Sequence, residues 1–320
     1  MHLKTIFGTR LKENELMSKH TNFRIGGPAR FYVEAQSAEE IMRAFEAART
    51  DGVRVIVHGG GSNTLVADTG VDALVLVPAL RDVAIEGMQV IAGAGVPSGL
   101  LARKTAEAGL AGLEWMISLP GTVGGAVRGN AGCFGGETKD HLASVSLYKP
   151  AEGVIVSLSA AELFLRYRHS IFKEPSGKDW VVLSATFMLE WGNAEELKKQ
   201  LDEHVASRKA SQPTNVGSAG CIFKNYEVKD DAELARLQEH FHLPESMLAS
   251  RRIGAGWIID QLDLKGTAVG GAKVSNVHGN FLVNEGKATA DDIMQLIALL
   301  KSRVRNALGI QLQEEIQFLI

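Results

Sequence analysis

The sequence predicts an α+β protein with more than one domain. Segments whose apolar residues recur at helical spacing alternate with short apolar runs typical of buried strands. The 320 residues exceed the size that one hydrophobic core usually serves, so two or three domains are expected. Hydrophobic residues make up 45% of the chain and charged residues 22%, which is ordinary for a globular protein.

In the first half, the best-defined element is a helix over Ser37 to Asp51. Ser37 and Glu40 form a capping-box pattern at its start. An apolar stripe of Ile41, Phe45 and Ala48 follows the cap, and Gly52 ends the helix. Apolar runs predict strands at 53–57 and 74–77, and a hairpin at 83–85 and 90–92. A further helix is predicted over 100–108.

The second half repeats this mixture of elements. Strands are predicted at 143–148, 154–158 and 181–189, followed by a charged helix over 195–208 and a polar helix over 231–240. Residues at helical spacing from Ile293 to Val304 predict a long helix that Gly309 ends. The chain then closes with a strand predicted from Gln311 to Ile320.

Two glycine-rich loops are the strongest functional signal: VHGGGSNTLV (57–66) and SLPGTVGGAVRGNAG (118–132). Glycine lets backbone N–H groups approach a ligand, and successive N–H groups can cradle phosphate oxygens. Neither loop has the lysine and Ser/Thr of a P-loop or the spacing of a dinucleotide-binding fingerprint. The loops therefore favour a pyrophosphate-bearing cofactor, with tight turns alone as the alternative.

Charge and cysteine content exclude several other classes of protein. The net charge of −3 gives no support for nucleic-acid binding or for an anionic membrane surface. We find no apolar run of the ~20 residues that a membrane span needs, and no signal-peptide pattern. Two distant cysteines argue against a disulfide scaffold or a zinc site. We therefore expect a cytoplasmic protein without a bound metal.

Three segments carry residues that could perform chemistry, and each has a structural alternative. FLRYRHSIFK (164–173) is either an exposed basic strand or an arginine clamp for carboxylate or phosphate. Cys221 lies among small and apolar residues, as inert core thiols do. Glu315 falls on the polar face of the predicted closing strand, where a solvated glutamate is common.

Together and in this order, the segments resemble the UDP-N-acetylenolpyruvoylglucosamine reductases, also called MurB or UDP-N-acetylmuramate dehydrogenases. The resemblance is to their shorter form, which lacks a tyrosine-bearing loop. It covers nearly the whole chain and is carried by NFRIGGPA (22–29), GGGSN (59–63), GLEWMISLPGTVGGAVRGNAG (112–132), YRHSIFK (167–173), GSAGCIFKN (217–225), AGWIIDQLDLKGTAVGGAKVSNVHGNFLVN (255–284) and LQEEI (312–316).

The resemblance implies an FAD-binding region of the vanillyl-alcohol-oxidase (PCMH) type over 1–210, with subdomains at about 1–77 and 78–210. A smaller α/β substrate domain over 211–309 and a closing strand over 310–320 would follow it. FAD would bind non-covalently, and NADPH would be the co-substrate. The residues implied to bind FAD are His58, Gly59, Gly60, Gly61, Ser62, Asn63, Gly121, Thr122, Gly124, Gly125 and Ala126.

The resemblance also implies the reaction and its residues. Reduced flavin would pass a hydride from N5 to C3 of the enolpyruvyl group of a UDP-sugar, and C2 would be protonated. The product, UDP-N-acetylmuramate, is a peptidoglycan precursor. Arg168 would polarise the substrate carboxylate, Glu315 would assist, and Cys221 stands where the family usually has the serine acid. Implied substrate contacts are Tyr167, Lys209, Asn225 and Asn280. We expect a monomer or weak oligomer with no nucleic-acid or membrane partner.

Two departures from the family pattern leave alternatives open. Cysteine replaces the serine acid at position 221, and a polar insertion runs from Tyr226 to Gly254. The insertion could be a lid, an interaction surface or, as we expect, a neutral surface excursion. The alternative functions are an FAD-dependent oxidase or dehydrogenase of the same fold, and a flavin-binding protein without catalytic activity.

Overall fold

The computed structural model describes residues 1–319. Their α-helices are α1 (His2–Phe7), α2 (Ala38–Thr50), α3 (Ser98–Glu107), α4 (Val123–Gly129), α5 (Ala194–Ser211), α6 (Asp231–His240), α7 (Glu245–Ser250), α8 (Ala255–Gln261) and α9 (Ala290–Leu308). Their strands are β1 (Lys12–Leu16), β2 (Pro28–Ala35), β3 (Val55–Val57), β4 (Thr64–Val66), β5 (Val71–Pro78), β6 (Val83–Glu86), β7 (Gln89–Gly93), β8 (Leu110–Ala111), β9 (Gly132–Cys133), β10 (Gly136–Glu137), β11 (Leu142–Lys149), β12 (Val154–Ser159), β13 (Val181–Met188), β14 (Glu190–Trp191), β15 (Tyr226–Glu227), β16 (Arg252–Ile253), β17 (Ala268–Val269), β18 (Ala272–Val274), β19 (Leu282–Asn284) and β20 (Gln317–Leu319).

The described residues form two compact units. The N-terminal unit contains residues 1–15, 29–61 and 72–210, and the C-terminal unit contains 16–28, 62–71 and the chain from Ser211 onward. The segments 16–28 and 62–71 lie inside the region that the sequence assigned to 1–210. The domain bounds of 1–210, 211–309 and 310–320 therefore stay a prediction.

Two sheets organise the N-terminal unit. One has the strand order β1-β2-β5-β3, and in it β3 runs parallel to β5. The other has the order β12-β11-β13-β7-β6, with antiparallel neighbours. Inward-facing residues of the second sheet, such as Val145 and Phe187, share a core with Leu101 of α3 and Val127 of α4. Helix α4 is thereby held against this sheet.

Local signals account for the bounds of helix α2. The Ser37 hydroxyl accepts a hydrogen bond from the Glu40 amide at 3.1 Å, and Ile41 is fully buried. The Glu40 carboxylate accepts from the Gln36 amide, one residue before the position that a capping box uses. The predicted helix is confirmed, with one half of its predicted cap.

Helix α9 is the centre of the C-terminal unit. Thr289 and Asp292 form a complete capping box, and Gly309 ends the helix at a φ of 67°. The predicted stripe is buried in one core with strands β18 and β19 and with helix α8. Within residues 1–319, no helix is both long and apolar enough to cross a membrane.

Two expectations about this unit need correction. The closing strand is much shorter than predicted: only β20 is regular, and it pairs in parallel with β4. Ile320 lies outside the described residues. The insertion is not a surface excursion, because four of its apolar side chains are buried in the core of α9: Val228, Leu237, Leu243 and Ile253.

Candidate functional site

The two glycine loops meet within the N-terminal unit. Strand β3 ends at Val57, and the buried His58 donates its amide to the Leu76 carbonyl at 2.9 Å. A Cβ atom on Gly60 would lie 2.7 Å from the Gly121 Cα, a distance that side chains do not tolerate. Gly121 itself has a φ of 102°, which favours glycine. The loops therefore pack backbone to backbone, directly before α4.

This cradle fits a diphosphate. Within residues 1–319, the backbone amides of Gly59, Gly60 and Gly61 donate no hydrogen bond, so they are available to anionic oxygens. A Cβ on Gly125 would meet only the Thr122 hydroxyl, at 3.7 Å, so this face of the loop is also open. These residues are the ones that would hold the pyrophosphate of FAD.

Gly124 has a different environment from its neighbours in the second loop. Its amide donates to the Ala94 carbonyl at 2.9 Å, and a Cβ there would lie 3.0 Å from the Ala94 Cβ. The buried Ala126 likewise donates its amide to Thr122 within the helix. Both residues pack α4 against the sheet, and their predicted contact with the cofactor stays a prediction.

Tyr167 and Arg168 form the tip of a tight turn, not part of a strand. Arg166 and His169 exchange backbone hydrogen bonds of 3.1 and 2.9 Å around them. Arg168 has a φ of 52°, a backbone conformation that is uncommon for residues other than glycine and asparagine. The Lys173 ammonium donates to the Arg168 carbonyl at 2.7 Å.

The Arg168 side chain is held on two sides. Its Nη2 donates to the Gly132 carbonyl at 2.9 Å, and its guanidinium carbon lies 5.2 Å from the centre of the Tyr167 ring. Both partners belong to the segments that the resemblance singled out. A guanidinium fixed in this way is suited to carboxylate or phosphate, because its donors are preset.

On helix α5, the half-buried Arg208 precedes Lys209, whose substrate contact stays a prediction. Lys209 is exposed, whereas His204, one turn before Arg208, stacks on Phe134 with ring centres 4.6 Å apart. Burial raises the pKa of the adjacent Cys133 thiol, and the charges of Arg208 and Arg168 oppose that rise. Arg208 is not among the predicted site residues, although its i, i+4 spacing from His204 indicates that the two share a helix face.

In the C-terminal unit, the segment carrying Cys221 lies between two extended neighbours. Cys221 pairs with Phe281 on one side, and the Ile222 amide donates to the Asn280 carbonyl at 2.9 Å. On the other side the Glu315 amide donates to the Ile222 carbonyl at 2.7 Å. The structure thus brings Cys221 and Glu315, 94 positions apart in sequence, onto adjacent backbone segments.

Two successive glutamates in the closing segment have different roles. The Glu314 carboxylate pairs with the Lys301 ammonium at 2.6 Å. Glu315 instead bonds the Cys221 segment, through its backbone amide, which donates to the Ile222 carbonyl. Residues 311–316 precede the regular strand β20, so the predicted face and the catalytic role of Glu315 both stay predictions.

Three asparagines expected at ligands direct their side chains to backbone groups. Asn63 donates to the Glu315 carbonyl at 3.1 Å, and Asn225 accepts from the Ala255 amide at 3.3 Å. Asn280 bonds both backbone groups of Phe223. Ser62 and Asn63 belong to the C-terminal unit, whereas the preceding glycines belong to the N-terminal one. Contacts of these residues with FAD or substrate stay predictions.

Two family models and several curated relatives match this chain. A model of the UDP-N-acetylenolpyruvoylglucosamine reductase C-terminal domain matches residues 212–319, and an FAD binding domain model matches residues 29–159, which include both glycine loops. The UDP-N-acetylenolpyruvoylglucosamine reductase of Synechococcus sp. (strain CC9311) is 38% identical over 317 residues, which cover 96% of this chain and 92% of the relative. The one from Caldanaerobacter subterraneus subsp. tengcongensis is 35% identical over 309 residues, with 96% and 93% covered.

A solved structure shows the same similarity. The crystal structure of UDP-N-acetylenolpyruvylglucosamine reductase (MurB) from Thermus caldophilus matches with a TM-score of 0.76 and 32% identity, covering 97% of this chain and 99% of that one. The predicted fold class, FAD as the cofactor and an oxidoreductase as the kind of enzyme are confirmed by these matches. The chain belongs to the UDP-N-acetylenolpyruvoylglucosamine reductase family.

Proposed function

We propose that this enzyme reduces the enolpyruvyl ether of UDP-N-acetylglucosamine to UDP-N-acetylmuramate, with NADPH as the reductant, in peptidoglycan precursor synthesis. Bound FAD would supply the hydride, from N5 to C3 of the enolpyruvyl group, after its own reduction by NADPH. The observation that carries the proposal is the pairing of the Cys221 and Glu315 segments through Ile222. A proton donor and a carboxylate on adjacent segments suit a reaction that must protonate a carbanion.

Arg168 would bind the substrate carboxylate and stabilise the charge that grows there as the hydride arrives. Its side chain is fixed by the Gly132 carbonyl and the Tyr167 ring, so little reorganisation is needed during the reaction. Preset donors directed at developing charge are typically worth ~10²–10³ in kcat. Arg208, on the face of α5 that carries His204, would add positive charge on the same side.

Cys221 would donate the proton to C2, in the place of the serine that the family usually has. Cysteine thiols have an ordinary pKa of about 8.5, so they carry a proton at neutral pH and are stronger acids than serine hydroxyls. Glu315 would stabilise the transition state or return the proton. Tyr167, Lys209 and Asn225 would contact the UDP-sugar. The cytoplasmic location and the weak or absent self-association stay predictions.

The decisive test measures the two half-reactions separately under anaerobic conditions. Replacing Cys221 with alanine should leave flavin reduction by NADPH intact and slow flavin reoxidation by the enolpyruvyl substrate about 10²–10⁴-fold, the usual cost of a lost general acid. Cys221→Ser should stay active. Cys133→Ser, which removes the chain's other cysteine, is the matched control and should reoxidise normally.

Other outcomes would support other functions. Reoxidation at the wild-type rate in Cys221→Ala would show that another group supplies the proton. A wild-type flavin that oxygen but not the enolpyruvyl substrate reoxidises would indicate an oxidase of the same fold. A flavin that NADPH does not reduce would indicate a binding protein without catalytic activity.

A further inference from the structure

Asn280 is buried and is hydrogen-bonded to the segment that follows Cys221. It is 2% exposed. Its Oδ1 accepts from the Phe223 amide at 2.9 Å, and its Nδ2 donates to the Phe223 carbonyl at 2.8 Å. Its own carbonyl accepts from the Ile222 amide at 2.9 Å. Three hydrogen bonds thus join one side chain and its backbone to the two residues that follow Cys221.

The Asn280 side chain thus makes the hydrogen bonds to Phe223 that the backbone of a neighbouring strand would otherwise make. A carboxamide has a donor and an acceptor in the geometry of a peptide group, so it can satisfy both backbone groups of one residue. On its other edge the Cys221 segment is held by the Glu315 amide, which donates to Ile222. The segment is therefore bonded on both edges, and its rotation or slippage would break hydrogen bonds in a buried place.

We propose that Asn280 is a positioning residue that fixes the backbone of 221–223 and thereby aims the Cys221 thiol. The inference rests on the proposed function, in which Cys221 is the proton donor. It replaces substrate contact as the role of Asn280, because an amide with 2% exposure presents almost no surface to a ligand. Proton transfer is sensitive to such positioning, since a displacement of about 1 Å can cost about 10²-fold in rate.

Asn284 supplies a matched control from the same part of the chain. It is 6% exposed, its Nδ2 donates to the Phe23 carbonyl at 2.9 Å, and its Oδ1 accepts from the Gly286 amide at 2.7 Å. It is thus a second buried asparagine whose side chain is saturated by backbone groups. Its side chain has no hydrogen bond to residues 221–223 among those of the described chain.

The experiment compares Asn280→Asp with Asn284→Asp. Each exchange keeps the side-chain shape, removes one donor and places a carboxylate oxygen against a carbonyl. Flavin reduction by NADPH should stay within about 2-fold of wild type in both. Reoxidation at saturating substrate should fall about 10–100-fold in Asn280→Asp, the cost of misplacing the donor, and within about 2-fold in Asn284→Asp. If Asn280→Asp does not fold, Asn280→Ser, which is smaller and keeps an acceptor, replaces it.

A double variant separates this inference from the proposed function. In a Cys221→Ala background, Asn280→Asp should add no further loss, because residues that act through one group are not additive. An equal loss in Asn284→Asp, or a loss in both half-reactions, would overturn the positioning role in favour of a merely structural one. A raised KM with unchanged reoxidation at saturation would restore the substrate contact. Cys221→Ala that reoxidises normally would refute the proton donor itself.

Discussion

At the scale of single residues, two glycines of the same motif type are required for different structural reasons. Gly60 and Gly124 both belong to the glycine loops, and both were expected to approach the cofactor. Gly60 is required because its Cα faces the Gly121 backbone, whereas Gly124 is required because it packs on Ala94. The sequence indicated which glycines are needed, but their neighbours show what each one does.

We predict that Gly60→Val lowers FAD retention. A Cβ there would lie 2.7 Å from the Gly121 Cα, so the two loops must separate and the amides of 59–61 lose their arrangement. The flavin-to-protein ratio after gel filtration measures the effect. Gly129→Ala is the control, since a Cβ at Gly129 meets nothing within 4 Å. Equal flavin content in Gly60→Val and wild type would refute the assignment of the cradle.

At the scale of elements, one carboxylate connects the ends of two helices that are distant in sequence. Asp51, the residue that follows α2, accepts hydrogen bonds from the His2 and Leu3 amides at 3.0 Å each. The two amides are among the orphan donors at the start of α1. These hydrogen bonds, first of all the one from Leu3, lower the pKa of Asp51 to about 2. One carboxylate thus joins the start of one helix to the end of another.

We predict that the anchor of α1 is lost only in strong acid. The folded-state pKa of Asp51 lies below the unfolded value of about 3.9. The contribution of Asp51 to stability is therefore complete above about pH 4 and is lost as pH falls toward about 2. Hydrogen exchange of the Leu3 amide should show this, with protection in wild type exceeding that in Asp51→Asn at pH 5 and equalling it near pH 2. A difference that persists unchanged at pH 2 would contradict the assignment.

At the scale of the whole molecule, the insertion after Asn225 is part of the fold. Its ends are joined by the β15–β16 pairing of Tyr226 with Ile253 and by the bond from the Ala255 amide to Asn225. Between them, Leu237 of α6 is 1% exposed and packs in the core of α9. The insertion therefore contributes to the stability of the C-terminal unit.

We predict that Leu237→Ala destabilises the protein by about 2–5 kcal/mol, the range for a leucine deleted from a packed core. Glu239→Ala, an exposed position on the same helix, should change the free energy of unfolding by less than about 0.5 kcal/mol. Urea unfolding of both variants measures the difference. Near-equal free energies of unfolding for the two variants would indicate that the insertion is a surface excursion after all.

The sequence alone determined the elements and motifs that depend on neighbouring residues. The Ser37 cap of α2, the apolar stripes of α2 and α9 and the end of α9 at Gly309 follow from local pattern, because capping and amphipathic spacing act within a few residues. The family and its cofactor were implied by the resemblance of ordered motifs, among them the two glycine loops. The regions around Arg168, Cys221 and Glu315 were also identified, though their predicted roles await experiment.

Only the tertiary structure decided which distant segments lie side by side. It placed 62–71 with the C-terminal unit, paired β20 with β4 in parallel and set Glu315 beside the Cys221 segment. It also turned Asn280 toward the Phe223 backbone and stacked His204 of α5 on Phe134. Strand register and side-chain partners come from contacts between residues far apart in the chain, and no local pattern specifies them.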